Sequence, residues 1–169
     1  MPEPSSSSLA AALAGAPDRS LDAALHVALL GEDVKRWAFV NDSLYSPYCS
    51  PEHLATLIYG DVYRLDWGAV SESGEIEEAV PCYSTDASAA LSVVEAMGTH
   101  PSGPWDWGGE HYVERVWLSA FVRRGGDANP AEITATTFPR AICEAAILAL
   151  HAADSLPAPA LALLGARTD

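Results

Sequence analysis

The sequence predicts an α+β fold in which helices cover both faces of a central, mainly antiparallel sheet. Two segments join a polar capping residue to small and apolar residues at helical spacing, one beginning near Thr85 and the other at Thr137. Residues 113–122 instead place their side chains alternately on two sides, as a strand does. Because both sides of that strand include large apolar side chains, we expect it in the middle of a sheet that is covered on two faces.

The chain has 169 residues, the size of a single domain that can bury a core. Its 49% apolar and 19% charged residues are typical of a globular protein. We expect the domain at residues 20–154, between a disordered N-terminal tail at 1–19 and a flexible C-terminal tail at 155–169. Both tails are rich in Pro, Ser or Ala, and Pro157 and Pro159 exclude a straight continuation of the preceding helix.

The first half of the chain is expected to begin with a helix that Ser20 caps and that ends at residue 30 or 37. A short helix is predicted to begin at Pro51. A strand is predicted within 57–67, with a turn at Gly60–Asp61 or after Trp67. A second strand at 76–80 is expected to form a hairpin with it across residues 71–74.

In the second half, the helix that begins near Thr85 is expected to stop at Gly98. Residues 123–127 are expected to form a turn, and residues 133–137 the returning strand. Thr137 then caps the final helix, whose Ala-rich stripe suits close packing.

The chain is acidic, with a formal net charge of −14. Binding to nucleic acid through phosphates needs a surface of Lys and Arg, and the nine basic residues do not cluster beyond Arg123 and Arg124. We therefore expect no direct contact with nucleic acid. The acidic surface can keep the protein soluble by self-repulsion, and it can also meet a basic partner.

The three cysteines, Cys49, Cys82 and Cys143, have no disulfide-framework spacing. The N-terminus lacks the basic region of a signal peptide, and no apolar run reaches the roughly 18 residues of a membrane span. We expect a cytoplasmic protein with reduced thiols and no membrane contact.

The order of four short motifs resembles a known family, the phage ABA sandwich domain, and more distantly the NinX-type phage proteins. The motifs are residues 21–25 (Leu-Asp-Ala-Ala-Leu), 83–86 (Tyr-Ser-Thr-Asp), Trp117, and 139–146 (Pro-Arg-Ala-Ile-Cys-Glu-Ala-Ala). The resemblance implies a phage or prophage product with an α/β/α sandwich and no established activity. The chain departs from the family in an enlarged stretch at 39–80 and in a long Gly/Trp loop before Trp117, where a particular function would be added.

The segment Tyr83, Ser84, Thr85 and Asp86 is the first candidate site. Ser, Thr and Asp are preferred capping residues, so a structural role explains the segment. A helix start can also hold an anion or phosphate, with Tyr83 as its neighbour. The chain offers no Gly-x-Ser-x-Gly elbow that would make Ser84 a hydrolase nucleophile.

The glycine-rich segment 103–112 is the second candidate, and we expect it to be a loop. It carries Trp105, Trp107, His111 and Tyr112, aromatic side chains that can stack on a base or anchor a protein partner. The alternative is that the two tryptophans fold back as a lid over the sheet.

Basic residues and possible metal ligands give weaker signals. Arg140 lies in the first turn of its helix, where it can converge on an anion with Arg123 and Arg124. Cys49 and His53 have a usable ligand spacing without a second matching pair, and Asp106, His100, Glu110 and His111 form a loose polar cluster. We expect no metal and no cofactor, and we interpret Cys82 and Cys143 as structural.

These observations favour a phage-encoded accessory protein that acts by binding in the host cytoplasm. One version is a counter-defence protein that engages a host protein through its acidic surface and the Trp segment. The alternative is a sponge for a nucleotide signal, with the helix start at 84–86 and the aromatic segment as its pocket. A small hydrolase is the third hypothesis, since no nucleophile–base pair stands out. The sequence does not indicate the oligomeric state.

Overall fold

The computed structural model describes residues 6–40, 43–44, 64–125 and 130–165. The helices are α1 (Ser6–Gly15), α2 (Asp18–Leu30), α3 (Ala87–Gly98), α4 (Phe138–Ala152) and α5 (Ala158–Leu163). The strands are β1 (Val34–Val40), β2 (Ser43–Leu44), β3 (Arg64–Val70), β4 (Ile76–Ala79), β5 (Trp105–Tyr112), β6 (Val116–Arg123) and β7 (Ala131–Ala135). The predicted helix at Pro51, the turn at Gly60–Asp61 and the pair Cys49 and His53 lie outside the described residues.

The strands confirm the α+β class and the antiparallel pairing. They form two sheets, with the orders β2-β1-β3-β4 and β5-β6-β7, where one central sheet was expected. Helix α2 packs on β1 and β3, helix α4 packs on β6 and β7, and the two helices pack on each other. The contact between these helices therefore joins the two sheets.

Helices α2 and α4 form the centre of the core. All residues from 21 to 28 and from 141 to 147 are buried, although a surface helix would bury only one stripe. Complete burial of a side chain such as Ile142, Ile147 or Leu150 stabilises the fold by about 1.5–3 kcal/mol. Because the same segments also bury Asp22 and Glu144, the core has to provide these carboxylates with partners.

The helix ends follow the sequence closely, with small shifts. Helix α3 begins at Ala87, two residues after the predicted start near Thr85, because the Asp86 side chain caps it by accepting a hydrogen bond from the Ala89 amide at 2.8 Å. Helix α2 begins after Pro17, where Ser20 was the predicted cap. It stops at Gly31, whose φ of 65° suits glycine, and the chain continues into β1 where a longer helix was one expectation.

Both chain ends differ from the predicted tails. Leu9 and Leu13 of α1 are fully buried, and so is Ala160 of α5, which packs on α2. The apolar side chains of these two short helices pack on the core, although the composition of the two segments suggested disordered tails. The N-terminal helix is also tied to α4, because Arg140 donates to the Leu13 carbonyl at 2.7 Å.

The predicted loop at 103–112 is also wrong, because strand β5 runs from Trp105 to Tyr112 and pairs with β6 without a break in register. One of the glycines that suggested a loop, Gly109, serves a packing role. A Cβ on Gly109 would lie 2.7 Å from the Trp107 ring, so glycine lets that ring lie across the strand. The hairpin of β3 and β4 across residues 71–74 is confirmed.

The helices of the described residues include none that is both long and apolar enough to cross a membrane.

We predict that Leu13→Ala lowers the free energy of unfolding by about 2–5 kcal/mol, because it removes a fully buried side chain from the core. Urea unfolding followed by circular dichroism measures this change. Leu91→Ala is the matched control, since Leu91 is exposed on α3 and should cost little. Equal stability of the two variants would contradict the packing of α1 on the core.

Candidate functional site

The turn before α3 is held by buried polar contacts. Ser84 is buried, and its amide donates to the Asp22 carboxylate at 2.7 Å. Its hydroxyl donates to the Asp18 carbonyl at 3.2 Å. Neither partner is an imidazole that could act as a base, and Asp86 caps the helix. Ser84 and Asp86 therefore shape the fold, while Thr85 is exposed beside them.

Tyr83 is an interior residue. Its hydroxyl lies 3.2 Å from Nδ1 of His26, whose Nε2 lies 3.0 Å from the Glu32 carboxylate. Burial, with the nearby charge of Asp22, raises the pKa of Tyr83 to about 12. The phenol is therefore neutral at physiological pH, and its position in the core leaves little surface for stacking on a ligand.

An arginine that the sequence analysis did not single out organises this region. Arg19 donates through Nη1 to Asp22 and through Nε to Asp66, each at 2.8 Å. It also donates to the Val80 carbonyl at 2.6 Å, so it joins α2, β3 and the end of β4. Burial raises the pKa of Asp22, and the contacts with Ser84 and Arg19 oppose that rise. The only signal in the sequence was the spacing of three between Arg19 and Asp22 in a helix.

Three of the predicted site residues meet in one cleft of about 360 Å³. They are Ser84, Thr85 and Arg140, and the cleft is also lined by Asp18, Thr136 and Thr137. Each nitrogen of the Arg140 guanidinium already donates to the protein, including to Asp18 and Glu144 at 2.7 Å each. With the Arg140 charge matched by two carboxylates, the cleft is poorly suited to an anion.

The predicted convergence of Arg123, Arg124 and Arg140 is wrong. Trp117 lies beside the start of α4, with its ring 5.1 Å from that of Phe138, and β6 then runs away to Arg123. Six residues of strand cover about 20 Å, so Arg140 and Arg123 lie at opposite ends of the sheet. Arg124 instead pairs with Asp106, and this hydrogen bond lowers the pKa of the Asp106 carboxyl.

Trp105 and Trp107 face the core, as the lid interpretation expected. Trp105 is only 6% exposed and donates from Nε1 to the Ser102 hydroxyl at 3.0 Å. Trp107 donates from Nε1 to the Ser119 hydroxyl at 2.6 Å, and its ring meets Phe138 edge-on at 6.0 Å. The two indoles fill the space between β5 and the helices, so neither offers a free stacking surface.

His111 and Tyr112 lie at the exposed end of β5. The His111 ring lies 4.4 Å from the Trp117 ring, while Tyr112 is 44% exposed next to the fully exposed Val113. Hydrogen bonding to Glu110 raises the pKa of Tyr112. Side chains alternate along a strand, so His111 and Glu110 point to opposite faces, and the predicted polar cluster does not converge.

One surface was not predicted from the sequence, and we call it the outer face of the β5-β6-β7 sheet. Helices α3 and α4 pack on the other face, and among the described elements none covers this one. The expectation that both faces of β6 are covered is therefore not met by these elements. The outer face carries Asp106, Gly108, Glu110 and Tyr112 from β5, Val116, Leu118, Ala120 and Val122 from β6, and Glu132 and Thr134 from β7.

The outer face has the layout of a protein interface. The four β6 side chains are partly buried and make an apolar row, while Glu110 and Glu132 are exposed acidic residues on the flanking strands. Because Gly108 has no side chain, a depression of about 290 Å³ lies beside Leu118 and Ala120. In the part of the chain that the structure describes, no group of three or more His, Cys, Asp or Glu residues could hold a metal ion.

Comparison of the chain with known proteins gives no match to a family model, to a curated protein or to a solved structure. The resemblance to the phage domain therefore rests on the four sequence motifs.

We predict that Asp22→Asn lowers the free energy of unfolding by about 1–3 kcal/mol at pH 7. The amide has one acceptor oxygen, so either the Ser84 amide or Arg19 loses its buried partner. Urea unfolding measures the loss. Asp106→Asn is the matched control, because its ion pair with Arg124 is exposed and should contribute little to stability.

The stability difference between the wild type and Asp22→Asn should also depend on pH. Asp22 has a raised pKa in the folded protein, so the folded state binds more protons than the unfolded state between about pH 4 and that raised pKa. The stability advantage of the wild type over Asp22→Asn should therefore be fully present at and below about pH 4, fall as pH rises through the raised pKa, and then level off. An advantage that grows from pH 4 to pH 7 would contradict the raised pKa.

Proposed function

We propose that the protein acts by binding another protein through the outer face of the β5-β6-β7 sheet. The observation that carries this proposal is the apolar row of β6, which the described helices leave uncovered. A strand with large apolar side chains on both sides needs a cover on both faces, and burying such side chains is favourable by about 25 cal/mol per Å². A partner protein supplies the second cover.

The charge of the surface defines the chemistry of the partner. Glu110 and Glu132 flank the apolar row, and the chain carries a net charge of −14. A partner with an apolar ridge between Lys or Arg residues complements this arrangement and is drawn toward it at low ionic strength.

The biological setting of the proposal rests on the resemblance of the motifs. It makes the chain a phage-encoded accessory protein that works in the host cytoplasm, and counter-defence against a host protein is its most concrete form. Binding alone is sufficient for that role, so the proposal assigns no catalytic step to the chain.

The nucleotide-sponge alternative has less support. A nucleotide would have to compete for Arg140 with Asp18 and Glu144, and both tryptophans are directed to the core. The hydrolase hypothesis has even less support, because Ser84 bonds to Asp22 and to the Asp18 carbonyl and neither partner is a histidine base.

We predict that Leu118→Lys weakens binding to the partner at least tenfold. The change removes an apolar contact in the middle of the outer face and adds a charge that repels a basic partner. The measurement is affinity capture from a bacterial extract at low and high salt, followed by titration of the captured protein. Circular dichroism checks that the variant is folded.

Leu91→Lys is the control, because Leu91 is an exposed leucine on α3, away from the outer face. A protein that wild type and Leu91→Lys retain, and that Leu118→Lys releases, supports the proposal. Equal retention by all three would contradict the assignment of the outer face.

A further inference from the structure

We propose that the partner docks by adding an extended strand to the open edge of β5, a mode of binding that rests on the proposed function. The added strand has alternating basic side chains, and it prolongs the β5-β6-β7 sheet by one strand. The inference depends on which main-chain groups of β5 are already paired, on their exposure, and on the charges beside them.

The pairing of β5 can be assigned residue by residue. The Arg124 amide donates to the Pro104 carbonyl at 2.9 Å, and this bond makes Trp105 and Arg123 a pair that shares no hydrogen bonds. Because hydrogen-bonded and non-hydrogen-bonded pairs alternate, Asp106, Gly108, Glu110 and Tyr112 direct their main-chain groups toward β6. The residues that direct theirs to the open edge are Trp105, Trp107, Gly109 and His111.

The edge is accessible to a partner. Every residue from Gly108 to Tyr112 is exposed, and the surface of the two glycines is almost entirely main chain. Within the described residues, no hydrogen bond from a turn, loop or other strand reaches the edge-facing groups of β5. These amides and carbonyls are therefore available for pairing.

β5 lacks several of the features that usually keep an edge strand from pairing. It is eight residues long, and it contains no Pro, no Lys and no bulge. The other described edges are better protected. β2 has only two residues. The pairing of β4 with β3 shifts register between Ala69 and Val70 of β3. β7 has five residues and follows Pro130.

The side chains of β5 select the occupant. Glu110 lies on the outer side of the edge, so an added strand should place Lys or Arg beside it. Asp106 lies on the same side and is already paired with Arg124. A second copy of the chain would bring a molecule of the same net charge, −14, against the edge. The charges therefore favour a basic segment of another protein over self-pairing.

Geometry gives a strict rule for the added strand. In an antiparallel addition, the residues that hydrogen-bond to β5 lie opposite Trp107, Gly109 and His111, and their side chains lie on the same face as these three. In a strand of alternating Lys and Val with Lys on the acidic outer side, the Val amides face β5 and the Lys amides face solvent.

The first test uses a blocked eight-residue peptide of alternating Lys and Val, titrated into the full chain at 150 mM salt. N-methylation of the Val amides should weaken binding at least tenfold, while N-methylation of the Lys amides should leave the dissociation constant within about twofold. Equal effects of the two methylations, or no binding of the unmodified peptide, would overturn strand addition.

The second test changes the protein. His111→Pro removes one edge-facing amide without breaking a bond to β6, and His111→Ala keeps the amide while removing the same ring. We expect His111→Pro to bind the peptide about fivefold more weakly than His111→Ala. Equal affinities of two folded variants would overturn the inference.

The outcomes separate this inference from the proposed function. If a captured partner depends on Leu118 and is indifferent to His111→Pro, the outer face binds the partner and strand addition is wrong. If the partner is indifferent to both changes, the proposed function fails as well. A dimer in sedimentation experiments that His111→Pro dissociates would show that a second copy occupies the edge, which also overturns the basic partner.

Discussion

Helix α4 covers the inner face of the β5-β6-β7 sheet, whereas none of the described elements covers its outer face, and the rest of the structure depends on this packing. It draws Trp107 and Phe121 inward, where Trp107 packs against Phe138. It equally turns Leu118 and Ala120 away from the core. The packing of α4 thus produces both the buried inner face of the sheet and the apolar outer face that we assign to a partner.

A second set of interactions fixes the other side of the molecule and explains why its cleft is a poor binding site. Arg19 and Arg140 bring charge to the carboxylates that α2 and α4 bury, and each arginine also binds main-chain carbonyls. Such networks hold elements in register, because removal of one member leaves a buried charge without a partner. Because each guanidinium nitrogen of Arg140 already donates to the protein, Arg140 is poorly suited to bind an external anion.

Local signals in the sequence predicted helices α2, α3 and α4, but they missed α1, α5 and the outer face of the sheet. Asp86 caps α3 through its side chain, as a local signal predicts. Thr137 occupies the predicted N-cap position of α4, but its side chain makes no capping hydrogen bond. The strand β5 was missed because Gly108 and Gly109 weaken its β-propensity, while pairing with β6 compensates. The ion pair of Arg140 with Asp18 joins residues 122 positions apart, and no local pattern encodes it.

Hydrogen exchange of the main-chain amides of β5, resolved by NMR in the free protein, tests the central claim most directly. The account predicts alternating protection, with slow exchange at Asp106, Gly108 and Glu110 and fast exchange at Trp107, Gly109 and His111. Uniformly slow exchange along the strand would contradict it, because the edge would then already be paired and a partner could not add a strand there.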